Sequence, residues 1–381
     1  MTGWLSAEEV MGRLGLKPQT LYAYVSRGRI EARRDEGDAR RSVYRAADVA
    51  RLEKRRARGK GSAAVAEDAI AWGEPVLASS ITTIAHGKLW YRGQDAATLA
   101  EAARLEDIAR LLWDCGDERF PVQTNTIAPG RPHDRMFQAL AWRAATSPAM
   151  RGRRPEALYF EAASLIDLMV DAVAGGSGEG PMHVRLGRAW GCDDAGADLV
   201  RRSLVLLADH ELNASTFAAR VTASTGASLA ACTLSGLAAL SGPLHGGMAV
   251  RVRGFTEQAQ KRGAHAAVAE RLASGGNLPG FGHPLYPDGD PRAEALLTAF
   301  EPTNEHSSLA SAVREITGEL PNIDFALTAL SDAARLPEDA PFQIFAMARC
   351  TGWIAHAIEQ SRTGRLIRPR VRYIGIAPVA E

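Results

Sequence analysis

Three short segments of the sequence each place one titratable side chain among residues that break regular secondary structure. His245 lies in SGPLHGG, His283 lies in NLPGFGHPLYPDGDPR (277–292), and Asp324 lies in PNIDF. Proline and glycine favour turns, so each side chain is expected in a stiff loop. Two imidazoles and one carboxylate can remove a proton from carbon and stabilise or protonate a developing oxyanion. Together the segments predict acid/base chemistry on a carbonyl compound.

Taken in order, these segments resemble the motifs of the citrate synthase family. That family carries GPLHGG, GFGH followed by DPR, and PNVDF at about this spacing, and the likeness extends from about Ala71 to the C-terminus. Further matches in the same order are YRG at 91–93, ADHELN at 208–213, AMAR at 346–349, GWIAH at 352–356 and RPR at 368–370. The resemblance implies a mainly α, two-domain helical fold with the catalytic cleft between the domains.

The resemblance also implies a role for each of the three titratable residues. Asp324 would remove a proton from the acyl methyl group of acetyl-CoA, or from the corresponding carbon of propionyl-CoA. His245 would donate a hydrogen bond to the thioester oxygen, and His283 would be the acid at the carbonyl of oxaloacetate. The products would be citrate or 2-methylcitrate and free CoA, which is a co-substrate rather than a tightly bound cofactor. No metal ion is implied.

Binding of oxaloacetate requires fixed positive charge, because its two carboxylates must be desolvated. A planar guanidinium holds a carboxylate through two parallel hydrogen bonds, which lysine cannot do. By the resemblance, Arg292, Arg349 and Arg368 occupy the positions of the carboxylate clamps, and His210 matches a further oxaloacetate-contacting histidine. Arg368 would reach the site of a partner subunit, so the resemblance implies a homodimer or a higher even oligomer.

The sequence departs from the family pattern on the coenzyme A side. Relatives usually follow GFGH with Arg and later Lys, whereas Pro284 and Pro287 stand here, and they usually follow GPLHGG with Ala-Asn-Glu, whereas Met248-Ala249-Val250 stand here. The residues that would meet the coenzyme A phosphates are therefore not identified. The choice between acetyl-CoA and propionyl-CoA also stays open.

Composition limits the class of protein. The chain has 381 residues, of which 46% are apolar, which is enough for a sizeable core. Its four cysteines are widely spaced and form no CxxC pair, which argues against a disulfide framework or a zinc site. The N-terminus has no signal-peptide pattern, and the apolar runs are interrupted by Ser, Thr and Gly, so no membrane segment is expected. These features predict a cytoplasmic protein.

Charge is unevenly distributed along the chain. Residues 1–60 contain 15 Lys and Arg against 8 Asp and Glu, a net charge of +7, whereas the remainder carries 30 against 36, a net charge of −6. Within 1–60, a capping-box pattern begins at Ser6, a second helix is expected from Lys17 to Gly28, and two strands and a closing helix follow. The unit resembles the winged helix-turn-helix of excisionase and MerR-type proteins.

A winged helix-turn-helix would place its second helix in the major groove of duplex DNA and its wing against phosphates. The residues expected at such an interface are Gln19, Thr20, Tyr22, Arg27, Arg33 and Arg34. The alternative is a solvated basic surface on a protein-interaction module. A net positive charge favours DNA binding, since phosphate contacts require it.

The domain organisation follows from these patterns. We expect the winged helix-turn-helix at 1–56, a linker at 57–70, a large domain at 71–247 and 335–381, and a small domain at 248–334. The small-residue run 215–240 predicts one buried helix that ends close to His245. A second long helix is expected from Pro341 to Thr363, and a hairpin is expected around His86-Gly87.

Two functions from different classes are consistent with the sequence. The first is an acyltransferase that condenses an acyl-CoA with oxaloacetate and hydrolyses the thioester. The second is a DNA-binding transcriptional regulator whose synthase-like body senses oxaloacetate or an acyl-CoA. Asp324 favours the enzyme, because a pure sensor does not need to abstract a proton.

Overall fold

The computed structural model describes residues 3–14, 16, 20–21, 24–25, 30–35, 41–57, 77–117, 124–371 and 375. The chain divides into two compact units, Met1–Ala78 with Arg370–Glu381, and Ser79–Pro369. The predicted linker at 57–70 lies almost entirely outside the described residues. Among the described helices, none has the length and apolar character needed to span a membrane.

The N-terminal unit contains a small antiparallel sheet and two described helices. In chain order these are β1 (Trp4–Ser6), α1 (Ala7–Leu14), β2 (Ala32–Arg34), β3 (Ser42–Arg45) and α2 (Ala46–Ala57). Strand β3 is central and pairs with both β1 and β2. The apolar residues beneath the sheet are Val10, Leu14, Leu21, Ile30, Tyr44 and Val49.

The predicted capping box at the start of α1 is confirmed. The carboxylate of Glu9 accepts the backbone N–H of Ser6 at 2.8 Å, and Ser6 Oγ accepts the backbone N–H of Glu9 at 3.3 Å. The predicted pairing of β2 with β3 is also confirmed. Strand β1 was not predicted, because its three residues pair with a strand nearly forty residues away and carry no local strand signal.

The residues expected to contact DNA are only partly described. Gln19, Tyr22 and Arg27 lie outside the described residues, as does most of the expected second helix. Arg33 and Arg34 lie in β2, and the Arg33 guanidinium lies 4.4 Å from the centre of the Trp4 ring. The winged helix-turn-helix therefore stays a prediction.

The second unit begins with the predicted hairpin, which is confirmed. Strand β4 (Thr82–Ala85) pairs with β5 (Lys88–Tyr91), and β5 pairs with the two-residue β6 (Gln94–Asp95). His86 and Gly87 connect β4 to β5 with φ of 54° and 71°, the left-handed conformation that a two-residue hairpin turn requires.

The remaining described part of this unit is mainly helical, as predicted. In chain order the described helices are α3 (Ala96–Ala102), α4 (Leu105–Trp113), α5 (Pro132–Thr146), α6 (Pro155–Ala174), α7 (Met182–Trp190), α8 (Asp194–Leu206), α9 (Ala214–Ser224), α10 (Leu229–Leu240), α11 (Met248–Arg262), α12 (Ala264–Ala273), α13 (Pro291–Leu297), α14 (Asn304–Thr317), α15 (Ile323–Ala333) and α16 (Ala340–Thr363). Helix α16 confirms the predicted helix at 341–363.

The prediction of a single helix over 215–240 is wrong. Helix α9 ends at Ser224 and α10 begins at Leu229. Gly226 has φ +84°, a left-handed conformation that ends a helix, and Ser228 caps α10 by accepting the backbone N–H of Ala231 at 3.2 Å. Small and apolar residues dominate the run, so these two local signals did not stand out from it. Helix α10 ends five residues before His245.

Two apolar cores support the helical unit. The larger core includes α10 and α16, which approach so closely that a Cβ on Gly236 would lie 2.5 Å from Cδ2 of Trp353. The smaller core is formed by residues between Val252 and Ala329. The predicted boundaries of the small domain at 248 and 334 stay a prediction.

Candidate active site

The segment 277–292 forms the stiff loop that its prolines and glycines predict, and it is tied to the segment before α15. Asn322 joins the two: its backbone N–H donates to Gly280 O at 2.8 Å and its side-chain amide donates to Gly282 O at 3.0 Å. The backbone N–H of Gly282 donates in turn to Leu320 O at 2.9 Å. The loops that carry His283 and Asp324 are thus one hydrogen-bonded assembly.

Backbone geometry fixes the proton position on His283. The backbone N–H of Leu285 donates to His283 Nδ1 at 3.1 Å, so Nδ1 is an acceptor and the proton of the neutral ring is on Nε2. Burial and the nearby Arg292 lower the pKa of His283 to about 4, although Asp290 acts in the opposite direction. At neutral pH His283 is therefore an uncharged donor through Nε2.

Asp290 orients Arg292 and also contacts the helix that carries Asp324. Arg292 donates from Nε to Asp290 Oδ1 at 2.9 Å and from Nη2 to Oδ2 at 2.8 Å, and both residues are buried. Oδ2 of Asp290 also accepts the backbone N–H of Ile323 at 3.0 Å. One carboxylate therefore sets the distance between the guanidinium and the first turn of α15.

Asp324 lies in that first turn as a desolvated carboxyl group. The side chain of Asn322 caps the helix by accepting the backbone N–H of Asp324 at 3.0 Å. Burial raises the pKa of Asp324 to about 6, even though Arg292 and Arg349 favour the ionised form. Within the described part of the chain, no ion pair involves Asp324. A carboxylate with a raised pKa is a stronger base, which suits proton abstraction.

His245 is held by a hydrogen-bonded serine. His245 Nε2 lies 2.9 Å from Ser215 Oγ. Ser215 Oγ donates its proton to Asn213 Oδ1 at 2.8 Å and accepts the indole N–H of Trp353 at 3.1 Å. Burial and Arg349 lower the pKa of His245 to about 4, so the ring is neutral. Because Ser215 gives its one hydroxyl proton to Asn213 Oδ1, the neutral ring of His245 donates Nε2–H to Ser215 Oγ. Nδ1–H becomes available to a ligand when Ser215 turns its proton to Nε2.

Arg349 is a buried cation with an unused donor. It lies in α16 at 1% exposure, its Nε donates to Leu207 O at 3.0 Å, and its guanidinium stacks 4.8 Å from the centre of the Phe345 ring. Its Nη2 is buried and has no hydrogen-bond partner among the described residues. Burial lowers the pKa of Arg349 to about 10, although Asp209 opposes the shift. A buried guanidinium with an open donor is suited to an anionic ligand.

His210 lies beside His283 and Tyr286 of the loop 277–292. Its ring centre is 5.3 Å from that of His283, and its Nε2 is 2.9 Å from the hydroxyl of Tyr286. Burial and the positive charges of Arg292 and Arg349 keep the pKa of His210 well below its usual range. The turn that presents it is held by Glu211, which has φ 52° and accepts the backbone N–H of Ile84 at 2.7 Å.

Behind this site, His356 links Asp209 to the core and is buried at 1% exposure. His356 Nδ1 lies 3.1 Å from the guanidinium of Arg220, which can only donate, so His356 Nε2–H donates to Asp209 at 3.3 Å. Burial raises the pKa of Asp209, but His356 and Arg349 outweigh it and keep the carboxylate ionised. A Cβ on Gly352 would lie 2.2 Å from Asp209 Oδ1, so only glycine fits there.

The structure thus brings together six of the seven predicted site residues of this unit, namely His210, His245, His283, Arg292, Asp324 and Arg349. Arg368 is exposed in the segment after α16, and no hydrogen bond or ion pair joins it to the others within the described residues. The contacts of Ser215 and Tyr286 with the histidines, and of Trp353 with Ser215, were not predicted. Their only sequence signal is membership of the motifs ADHELN-AS, GWIAH and GHPLY.

Comparison with known proteins identifies relatives of this chain. The family model for the citrate synthase C-terminal domain matches residues 179–370. A putative citrate synthase 2 of Mycobacterium tuberculosis is 39% identical over 187 residues, which is 46% of this chain and 50% of that protein. A 2-methylcitrate synthase of Shewanella oneidensis is 33% identical over 187 residues, with the same coverage. The chain thus matches about half the length of these curated relatives.

Solved structures share the fold over a larger part of the chain. The citrate synthase of Thermoplasma acidophilum, solved as a ternary complex with carboxymethyl coenzyme A and oxaloacetate, has a TM-score of 0.66 at 23% identity. The match covers 81% of this chain and 96% of that protein. At this identity the comparison establishes a citrate synthase fold.

The raised pKa of Asp324 predicts a pH-dependent effect on stability. The unfolded carboxyl ionises near pH 4 and the folded one near pH 6, so the folded protein loses stability as pH rises between these values. The side chain of Asp324→Asn cannot ionise. We therefore expect this variant to have a free energy of unfolding ~2 kcal/mol higher than that of the wild type at pH 7, and the difference to vanish near pH 4. Urea denaturation from pH 4 to pH 8 measures this. A difference that is constant across that range would contradict the assignment.

Proposed function

We propose that this chain, which belongs to the citrate synthase family, condenses an acyl-CoA thioester with oxaloacetate and hydrolyses the resulting thioester. The observation that carries the proposal is the desolvated carboxyl of Asp324, with a pKa raised to about 6, under the electrostatic influence of two buried guanidinium groups. Neutral imidazoles of His245 and His283 complete the set of groups that the chemistry requires.

Each of these groups has one role in the proposed reaction. The carboxylate of Asp324 removes a proton from the carbon next to the thioester carbonyl. His245, once Ser215 has turned its proton to Nε2, donates Nδ1–H to the enolate oxygen. The enol carbon attacks the ketone carbon of oxaloacetate, and His283 Nε2–H hydrogen-bonds to and protonates the oxygen that becomes the hydroxyl. Water then cleaves the thioester, which releases free CoA and citrate, or 2-methylcitrate from propionyl-CoA.

Two buried cations support a dicarboxylate as the second substrate. Arg292 is already aligned by Asp290, and Arg349 has an unpartnered Nη2. Since neither guanidinium can lose its proton at neutral pH, both supply permanent positive charge in a site where water screens it weakly. His210 is neutral and adds a hydrogen bond without adding charge.

Asp324→Ala tests the assignment of the base. Loss of the carboxylate should lower kcat by about 10²–10⁴-fold, the usual contribution of a positioned general base. Oxaloacetate affinity should change little, because Asp324 does not hold the carboxylates. Thiol release with acetyl-CoA and propionyl-CoA measures turnover, and calorimetric titration measures binding.

Asp332→Ala is the matched control, since Asp332 lies in the same helix and pairs with Arg253 outside the site. We expect it to retain the wild-type kcat. Turnover by Asp324→Ala at the control's level would refute the base assignment. If the wild type binds oxaloacetate but releases no thiol from either donor, the chain is a sensor rather than an enzyme.

We further propose a homodimer in which Arg368 completes the site of the partner subunit. Arg368 is exposed and is not joined to its own site. Large apolar side chains are also exposed on α5 and α6, where Trp142 is 70% and Phe160 is 52% accessible. Exposed apolar surface of this kind is characteristic of an interface.

Complementation between inactive chains tests the shared site. Arg368→Ala and Asp324→Ala chains should each be nearly inactive, but a mixed dimer contains one site with both residues intact. After co-refolding at a one-to-one ratio, half of the dimers are mixed and each has one active site, so activity should recover to about one quarter of wild type. Activity that stays at the mean of the two parents would show that each site is built from a single chain.

The N-terminal unit carries a second proposal, binding of duplex DNA by residues 1–56. It is supported by the net charge of +7 over residues 1–60 and by the position of Arg33 and Arg34 in β2. In the whole chain, Arg34→Ala should weaken binding to every duplex. It should also reduce the slope of log Kd against log salt concentration by about one. Arg154→Ala removes the same charge from the helical unit and should have no effect. Equal behaviour of the two variants, or binding independent of salt, would contradict the proposal.

A further inference from the structure

Tyr286 lies at the centre of the oxaloacetate-binding group but has no role in the proposed chemistry. It is 2% exposed, and its ring centre lies 5.0 Å from that of His283 and 5.6 Å from that of His210. The Arg292 guanidinium lies 5.3 Å from the same ring. Its backbone N–H donates to His283 O at 3.0 Å, so Tyr286 belongs to the rigid loop.

The hydroxyl of Tyr286 has one described hydrogen-bond partner, His210 Nε2 at 2.9 Å. A buried phenol must donate its proton, because a buried donor without an acceptor is destabilising. Burial raises the pKa of Tyr286 above its ordinary value, so this proton is retained. The hydroxyl therefore donates to His210 Nε2, which must be the unprotonated nitrogen of the ring.

We infer that Tyr286 is a positioning residue that holds His210 in the Nδ1–H tautomer and aligns it with His283. With Nε2 occupied by the phenol, the single proton that neutral His210 can offer to a carboxylate is at Nδ1. The bond also joins the loop 277–292 to the turn after α8, so two histidines from distant parts of the chain share one geometry. As a role in substrate binding, the inference rests on the proposed function.

The surroundings of His210 act in the same direction as this hydrogen bond. Burial and the positive charges of Arg292 and Arg349 disfavour the charged form of His210 and lower its pKa. Occupation of Nε2 by a donor adds to this effect, because Nε2 must be free to accept a proton for the ring to become charged. Without the hydroxyl, Nε2 can be protonated at higher pH, and either neutral tautomer can form.

Tyr286→Phe removes the hydroxyl and leaves the ring in place. We expect the Kd and KM for oxaloacetate to rise about tenfold, while kcat changes by less than about threefold. The acidic limb of the kcat/KM profile should move to higher pH, since protonated His210 becomes more accessible. Tyr159→Phe is the matched control, because Tyr159 is also buried and its hydroxyl accepts a hydrogen bond from Arg362 far from the site. It should leave all these quantities unchanged.

Nitrogen-15 NMR of histidine-labelled protein tests the tautomer without turnover, with His210→Asn used to assign the signals. The wild type should show a protonated Nδ1 and an unprotonated Nε2 for His210, and Tyr286→Phe should show a mixture of tautomers. A protonated Nε2 in the wild type, or spectra and Kd unaffected by Tyr286→Phe, would overturn the inference. A wild type that shows the expected tautomer but releases no thiol would refute the proposed function and leave the positioning role supported.

Discussion

The carboxylate of Asp290 is the interaction on which the rest of the site depends. It binds Arg292 through both oxygens and accepts the backbone N–H of Ile323, so it fixes the guanidinium against the first turn of α15, which carries Asp324. Loss of the counter-charge of a buried guanidinium costs about 3–5 kcal/mol, which is a large fraction of the free energy of unfolding of a typical protein. The loop can therefore carry a permanent cation only because Asp290 accompanies it.

Removal of water from the site shifts the pKa of its carboxyl group and the pKa values of its histidines in opposite directions. It raises the pKa of Asp324 and lowers that of His245 and His283, because in each case the charged form is disfavoured. The result is a strong carboxylate base beside neutral hydrogen-bond donors, a combination that proton abstraction next to a carbonyl requires. The two arginines remain charged in the same environment, and this explains how one site can suit both a dicarboxylate and an uncharged thioester.

Most of the site could be predicted from the sequence because its residues lie in motifs with strong local signals. Glycine and proline around His245, His283 and Asp324 indicate loops that a packed core does not need. The resemblance to the citrate synthase family pointed to Arg292 and Arg349. The contacts made by Ser215 and Tyr286 could not be predicted. Each joins residues at least thirty positions apart, and an ordinary serine or tyrosine carries no signal of its partner.

The fold shows the same division between local and distant information. Helix α16 and the hairpin at His86 were predicted because periodicity and turn residues mark them locally. The break between α9 and α10 was missed, since a single glycine within a long run of small residues is a weak signal against an otherwise continuous pattern. Strand β1 was missed because its identity as a strand depends on pairing with β3, which is distant in the sequence.

The fate of the acyl carbon tests the central claim most directly. Wild-type protein is incubated with oxaloacetate and acetyl-CoA labelled with carbon-13 in the methyl group, or with propionyl-CoA labelled at the carbon next to the carbonyl, and the products are followed by NMR. The account predicts that the label appears in a new carbon–carbon bond, as the methylene of citrate or the methine of 2-methylcitrate, with one free thiol per product molecule. Label that remains in the thioester or appears only as free acetate or propionate, with both donors, would contradict it.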